Sequence, residues 1–114
     1  MPIEALMTGY PVVSLNAAAI AVVGTYFAVP PDIKDFAWSA ILADTSVTAL
    51  QVDIEGNNVD PAVAGDWFSL ASTSVVGNAS GKISQQYVRW IRANLVILTG
   101  TGTVTVTIIG VKNA

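Results

Sequence analysis

In the segment "TVTVTIIG", Val104, Val106 and Ile108 fall on every second position, with Thr103, Thr105 and Thr107 between them. Successive side chains of a strand point to opposite faces, so this pattern predicts a β-strand with one face on a core. β-Branched residues suit such a pleated, half-buried surface. The same period returns upstream. In "VTALQVDIE" it sets Thr48, Leu50, Val52 and Ile54 against Val47, Ala49, Gln51, Asp53 and Glu55. In "FAWSAIL" it sets Phe36, Trp38, Ala40 and Leu42 against Ala37, Ser39 and Ile41. Helical periodicity is almost absent, and a chain patterned in this way is restricted to an all-β fold.

Turn chemistry divides the strands. The stretches "VPPD" (29–32), "EGNNVDPAVAGD" (55–66) and "VVGNASGK" (75–82) concentrate Pro, Gly, Asn and Asp. The "TGTG" at 99–102 supplies glycines that tolerate positive φ, which predicts a hairpin pairing Val88–Leu98 with Gly102–Gly110. Adding "PVVSL", "AIAVVGTYFAV" and "DWFSLAS" brings the expectation to about seven or eight strands, spaced as in an antiparallel β-sandwich or small barrel. The "NAAAIA" run (16–21) reads as a helical turn or, better, as tight packing or an extended arm. The expected organisation is one jelly-roll-like β-sandwich domain over residues 1–114, with residues 1–18 a candidate N-terminal arm. A chain of this length buries roughly two-thirds of its unfolded surface, enough for one core.

Composition narrows the function. The sequence has neither cysteine nor histidine. Thiolate chemistry, disulfides, the commonest general base and the commonest transition-metal ligand are therefore unavailable. Charged residues make up 11% and hydrophobic ones 53%, against about 25% charged in an ordinary soluble domain. So apolar a chain exposes patches that usually mark association sites, which predicts a homo-oligomer or a subunit of a larger assembly. A net charge of −3 with scattered cations does not suit a phosphate backbone, so no nucleic-acid partner is expected. Residues 5–31 carry no charge, yet Gly9, Pro11, Asn16 and Gly24 interrupt the run and no basic segment precedes it. Buried strands with their turns are expected there rather than a membrane span or a cleaved signal.

What chemistry remains is sparse. Asp53 and Glu55 lie two apart on one strand face, the spacing of a carboxylate pair, but a solvated strand face explains them more simply. Asp53, Glu55, Asn57, Asn58, Asp60 and Asp66 are oxygen donors of a kind Ca²⁺ accepts, without the spacing of an EF-hand loop. Turn-forming Asn and Asp account for them, and neither metal nor cofactor is expected. Asn78 opens a formal glycosylation triplet of the sort that occurs by chance. Tyr10, Tyr26, Trp67 and Tyr87 are candidates for a sugar-stacking platform, although aromatics at strand spacing more often belong to a core.

Two of the five basic residues, Arg89 and Arg92, sit in the strand-like "QQYVRWIRANLVIL". Alternation puts Arg89 with Tyr87, Ile91, Ala93 and Leu95, and Arg92 with Val88, Trp90, Asn94 and Val96. The preferred expectation is a β-bulge that turns both outward; the other is that one arginine is tucked against Asp53 or Asp66. Arg89, Arg92, Trp90 and Tyr87 form the candidate interface, since arginine and aromatics are enriched where protein contacts concentrate their energy. A packing arginine with its stem over the core is the alternative.

The series "ALQVDIEGNN…DWFSLAS…YVRWIRANLVILTGTGTVTVTIIG", over residues 47–110, resembles small structural proteins of tailed bacteriophages. In these a strand ending in an acidic glycine turn leads to a "WF-L" strand, a "VRYIR" strand and a terminal "TGTVTVTI" strand. The loop "EGNNVDPAVAGDW" is longer than the usual turn. The resemblance implies an antiparallel, jelly-roll-like sandwich located in the virion after synthesis in the host cytoplasm. It implies a non-enzymatic capsid decoration protein, partnered by the major capsid protein or other virion subunits. The alternative is a carbohydrate- or receptor-binding module of a tail or fibre.

Overall fold

The computed structural model describes residues 9–59 and 66–112. Seven strands run through them: β1 (Pro11–Ala18), β2 (Val22–Val23), β3 (Phe27–Ala28), β4 (Ile33–Asn57), β5 (Phe68–Thr73), β6 (Ala79–Ile83) and β7 (Trp90–Lys112). Every pairing is antiparallel, and no helix occurs among the described residues. The all-β, sandwich-like fold expected from the alternation is what forms.

The organising element is one long ribbon. Strands β4 and β7 pair from Ile33 opposite Lys112 to Asn57 opposite Trp90, interrupted by register shifts between Ile33 and Asp35, Ala43 and Ser46, Val47 and Ala49, and Gln51 and Val52. The "TGTG" segment is therefore not a hairpin turn. It lies inside β7, where Thr101 faces Ser46 and Gly100 faces Val47, and 90–98 and 102–110 are two halves of one strand that both pair with β4. "FAWSAIL" and "VTALQVDIE" are likewise one strand.

The burial pattern reveals what the shifts do. In β4 the core residues are Phe36, Trp38 and Ala40, then Val47, then Leu50, Val52 and Ile54. In β7 they are Ile91, Ala93 and Leu95, then Val104, Val106 and Ile108. The inward parity of β7 changes from odd to even at Val96, the extra residue between Leu95 opposite Val52 and Ile97 opposite Gln51, so that Leu98 already packs against the core. An extra residue in a ladder flips every later side chain to the opposite face, so the ribbon bends over itself with its apolar side inward throughout. Thr48, expected to point inward with Leu50, is exposed because the shift next to it gives Val47 that place. Gly100 has φ of 107°, and a Cβ there would meet the Ser46 carbonyl, so this corner requires glycine.

Each half of the ribbon gathers edge strands. The half containing 33–43 and 101–112 takes β6 beside β4 and β1 beside β7. The half containing 46–57 and 90–99 takes β5 beside β4, and β2 and β3 beside β7. One apolar cluster, from Leu15, Phe36 and Val106 to Val52, Ile91 and Leu95, fills the space between. Burying a side chain of this size stabilises the fold by about 1.5–3 kcal/mol.

Of the candidate N-terminal arm, residues 1–8 lie outside the described residues and Pro11–Ala18 is strand β1. The "NAAAIA" run ends that strand, with Ala17 at φ of 51° and its N–H donated to Thr105 Oγ1.

Strand β1 also joins the two halves. Its register shifts between Val13 and Leu15, which takes Ser14 out of the ladder. The buried Ser14 hydroxyl donates to the Thr25 carbonyl at 2.7 Å and accepts from the Ala93 N–H at 2.8 Å. Gly24 and Thr25 add backbone bonds to Ala93 and Ser14. Replacing Ser14 with Ala leaves the buried Ala93 N–H unpaired and removes the bond to the Thr25 carbonyl, so unfolding in urea should show a loss of about 1–3 kcal/mol, above that of an exposed serine such as Ser80.

Candidate functional site

Three connections meet where the bend brings the two ends of the ribbon together: residues 29–32, residues 57–59, and residues 84–89. Backbone hydrogen bonds tie them together. Val29 N–H donates to Arg89 O at 2.8 Å, Arg89 N–H to Asn57 O at 3.1 Å, and Gln86 N–H to Lys34 O at 2.9 Å. Arg89 N–H also reaches Asn58 Oδ1 at 3.2 Å, and Gln85 N–H donates to Asp35 Oδ1 at 2.9 Å. Pro30 and Pro31 hold their own φ fixed, and Ile33 N–H closes the turn onto Pro30 O.

Val88 anchors the last of these segments. It is buried, and it has room because residue 56 is glycine: a Cβ on Gly56 would lie 2.6 Å from Val88 Cγ1 and 3.1 Å from Leu70 Cδ1. With Val88 inward, Tyr87 and Arg89 are both exposed. Between these walls lies an open groove of about 600 Å³, with Pro30, Pro31, Asn58, Tyr87, Arg89 and Trp90 on its sides and Val29, Ile33 and Val88 at its base.

Beside the groove, on the outer face of the same half, is a second cluster. Arg92 Nε donates to Glu55 Oε1 at 2.8 Å, and Asn94 Nδ2 donates to Glu55 Oε2 at 3.2 Å. The pair is largely covered, with side-chain exposures of 16% and 13%. Arg92 lies 4.1 Å from the Trp67 ring centroid, a cation–π contact. Tyr26 meets Trp90 edge to face at 5.7 Å and Trp67 at 6.2 Å. Glu55 and Arg92 are direct cross-strand partners, so the charge pair also marks the register of β4 on β7.

The four candidate interface residues thus divide between two neighbouring places. Tyr87, Arg89 and Trp90 line the groove, Arg92 belongs to the covered cluster, and Trp90 touches both. No bulge separates the arginines, because Trp90, Ile91 and Arg92 pair in unbroken register with Asn57, Gly56 and Glu55. Arg89 escapes the alternation by preceding β7, and the acid that holds Arg92 is Glu55 rather than Asp53 or Asp66.

Asp53 accepts from Gln51 and Ser72 instead of converging with Glu55. Asp60 lies outside the described residues, and no group of three or more acidic side chains suited to a metal occurs among those described. The Asn78 side chain is occupied by Leu42 N–H at 2.9 Å. Pro30, Pro31 and Asn58 were legible in the sequence only as turn residues. Their part in the groove depends on segments that approach one another through the fold.

A different surface covers the other half of the ribbon. On its outer face Thr103, Thr105, Thr107 and Ile109 of β7 lie between Ala37, Ser39 and Ile41 of β4 and Pro11 and Val13 of β1. Among the described residues of this face, charge enters only near one end, at Asp35 and Lys82.

No protein-family model matches the chain, and no curated protein matches it by sequence. Solved structures do match. The SPBc2 prophage-derived protein YomS aligns over 87% of this chain and 90% of its own, with a TM-score of 0.61 at 13% identity. A family 6 carbohydrate-binding module aligns over 99% and 100%, with a TM-score of 0.48 at 12% identity. The chain therefore shares its fold with a prophage-derived protein.

The covered cluster and the anchor beneath the groove should respond differently to substitution. Arg92→Ala is expected to cost about 1–3 kcal/mol in urea unfolding, with a double-mutant cycle against Glu55→Gln giving a coupling of about 1–2 kcal/mol. Arg89→Ala should remain within about 0.5 kcal/mol of the parent. Gly56→Ala should lose about 1–3 kcal/mol through overpacking against Val88.

Proposed function

We propose that this chain is a non-enzymatic structural protein of a bacteriophage virion, a decoration subunit that binds the assembled capsid through protein contacts. The observation that carries this reading is the outer face built from β1, β7 and β4. A solvated sheet face ordinarily alternates in charged residues, whereas this one presents threonine, alanine, serine and aliphatic side chains. Such a face is nearly uncharged, and it packs against another protein surface without stranding a charge.

Its size fits one contact among several. Three strands about 4.8 Å apart and about 20 Å long present on the order of 300 Å². A stable standard interface needs about 800 Å² from each partner. A second surface is the β2 edge, where Ile20, Val22 and Val23 are 72%, 42% and 50% exposed. A short apolar edge of this kind is open to pairing with another chain, and it supports self-association alongside shell binding. Cement action needs only this: a protein that binds the assembled lattice and not its free subunits stabilises the lattice by mass action. The fold shared with a prophage-derived protein supports the same reading.

The test is cosedimentation of the purified protein with empty capsids, with its mass in solution measured in parallel. Binding is expected, and Thr107→Lys, which places a charge on the uncharged face between Ser39 and Val13, should weaken it at least about tenfold while the melting temperature changes by no more than about 2 °C. A strict monomer that fails to bind shells would remove the proposal.

A further inference from the structure

The groove where the two ends of the ribbon meet is not needed for the lattice contact and has a chemistry of its own. The geometry points to a saccharide-binding site in which a sugar ring stacks on Tyr87 and is held by Arg89 and Asn58. Tyr87 is 68% exposed, so it does little for the core. The Lys34 ammonium sits 5.8 Å from its ring centroid, which steadies the ring from one side. The Arg89 guanidinium makes no ion pair or hydrogen bond among the described residues. Asn58, whose Oδ1 takes the Arg89 N–H, is held in place as an exposed amide on the same wall.

This combination selects its ligand by chemistry. A sugar offers an apolar C–H face to an aromatic ring and paired hydroxyls to a guanidinium fork and an amide. A purely apolar ligand would bury the polar groups of Arg89 and Asn58 without partners, at a cost of about 1–3 kcal/mol for each unsatisfied group. A nucleic acid would require many more clustered cations than this end of the molecule carries. The groove, at about 600 Å³, has the size of small-ligand sites. Its walls are joined by the bonds from Val29 to Arg89 and from Arg89 to Asn57, so little ordering is left for binding.

The proposal is tested by calorimetric titration of the full chain with neutral hexose, N-acetylhexosamine and uronic acid oligosaccharides. At least one class should bind, with Tyr87→Ala and Arg89→Ala each weakening it about tenfold or more and leaving the melting temperature within about 2 °C of the parent. Absence of binding to all three classes overturns the proposal, as does affinity that survives both substitutions. If the two substitutions abolish capsid binding and leave saccharide binding intact, the groove is a protein contact and the proposal is wrong.

Discussion

A ribbon that bends over its own middle needs extra residues at the bend, and β4 supplies them on either side of Val47 while β7 supplies one at Val96. Residues paired across an antiparallel ladder share a face, so an extra residue in one strand changes which parity of that strand faces inward without moving its partner's. Here the shifts around Ala43–Ser46 and Val47–Ala49 in β4 lie opposite Gly100 and Thr101 in β7. Gly100 permits the backbone that this corner demands. The apolar sides of both halves then close on each other, and every other strand takes its place from this. β1 and β6 border one half, while β2, β3 and β5 border the other.

The two halves are used differently. One closes its outer face with a charge pair and aromatics, through Glu55, Arg92, Trp67, Trp90 and Tyr26. The other leaves its outer face almost without charge among the described residues. A covered cluster consumes its own hydrogen-bonding capacity, since Glu55 has one oxygen on Arg92 and the other on Asn94. On the other face Thr105 Oγ1 accepts from Ala17 N–H, and the low charge suits contact with another subunit. The groove lies beside the cluster, and Trp90 gives one side to the Tyr26 contact and one to the groove. The rigidity of the cluster thus supports one wall of the proposed binding site.

Much of the fold was legible because alternation reports directly on which residues face a core. Val104, Val106 and Ile108 are fully buried as the pattern in "TVTVTIIG" requires, and the short strand in "DWFSLAS" is β5. The site was less legible. Tyr87, Arg89 and Trp90 stood out as unusual residues in an apolar segment, and they do meet at one groove. Pro30, Pro31 and Asn58, which complete it, belong to two other connections well before them in the chain, and nothing in their local pattern distinguishes a turn from a binding wall. Arg92 was readable as a residue needing an acid, but alternation alone does not say which acid a neighbouring strand will bring opposite it.

By itself, the sequence determined an all-β chain without helical segments, the inward side of each strand segment, the absence of cysteine and histidine chemistry, and a surface poor in charge. These follow from residue identity and from a period of two, both local properties. The tertiary structure alone decided that "TGTG" is a corner within a strand, since the same glycines permit a reversal or a bend and only the partner strand selects between them. It also decided that Arg92 meets Glu55, that Ser14 leaves its ladder to bond Ala93 in the opposite half, and that Tyr87, Arg89 and Asn58 share a wall. Each of these depends on register between segments distant in the chain, and register is set by the packing of the whole core.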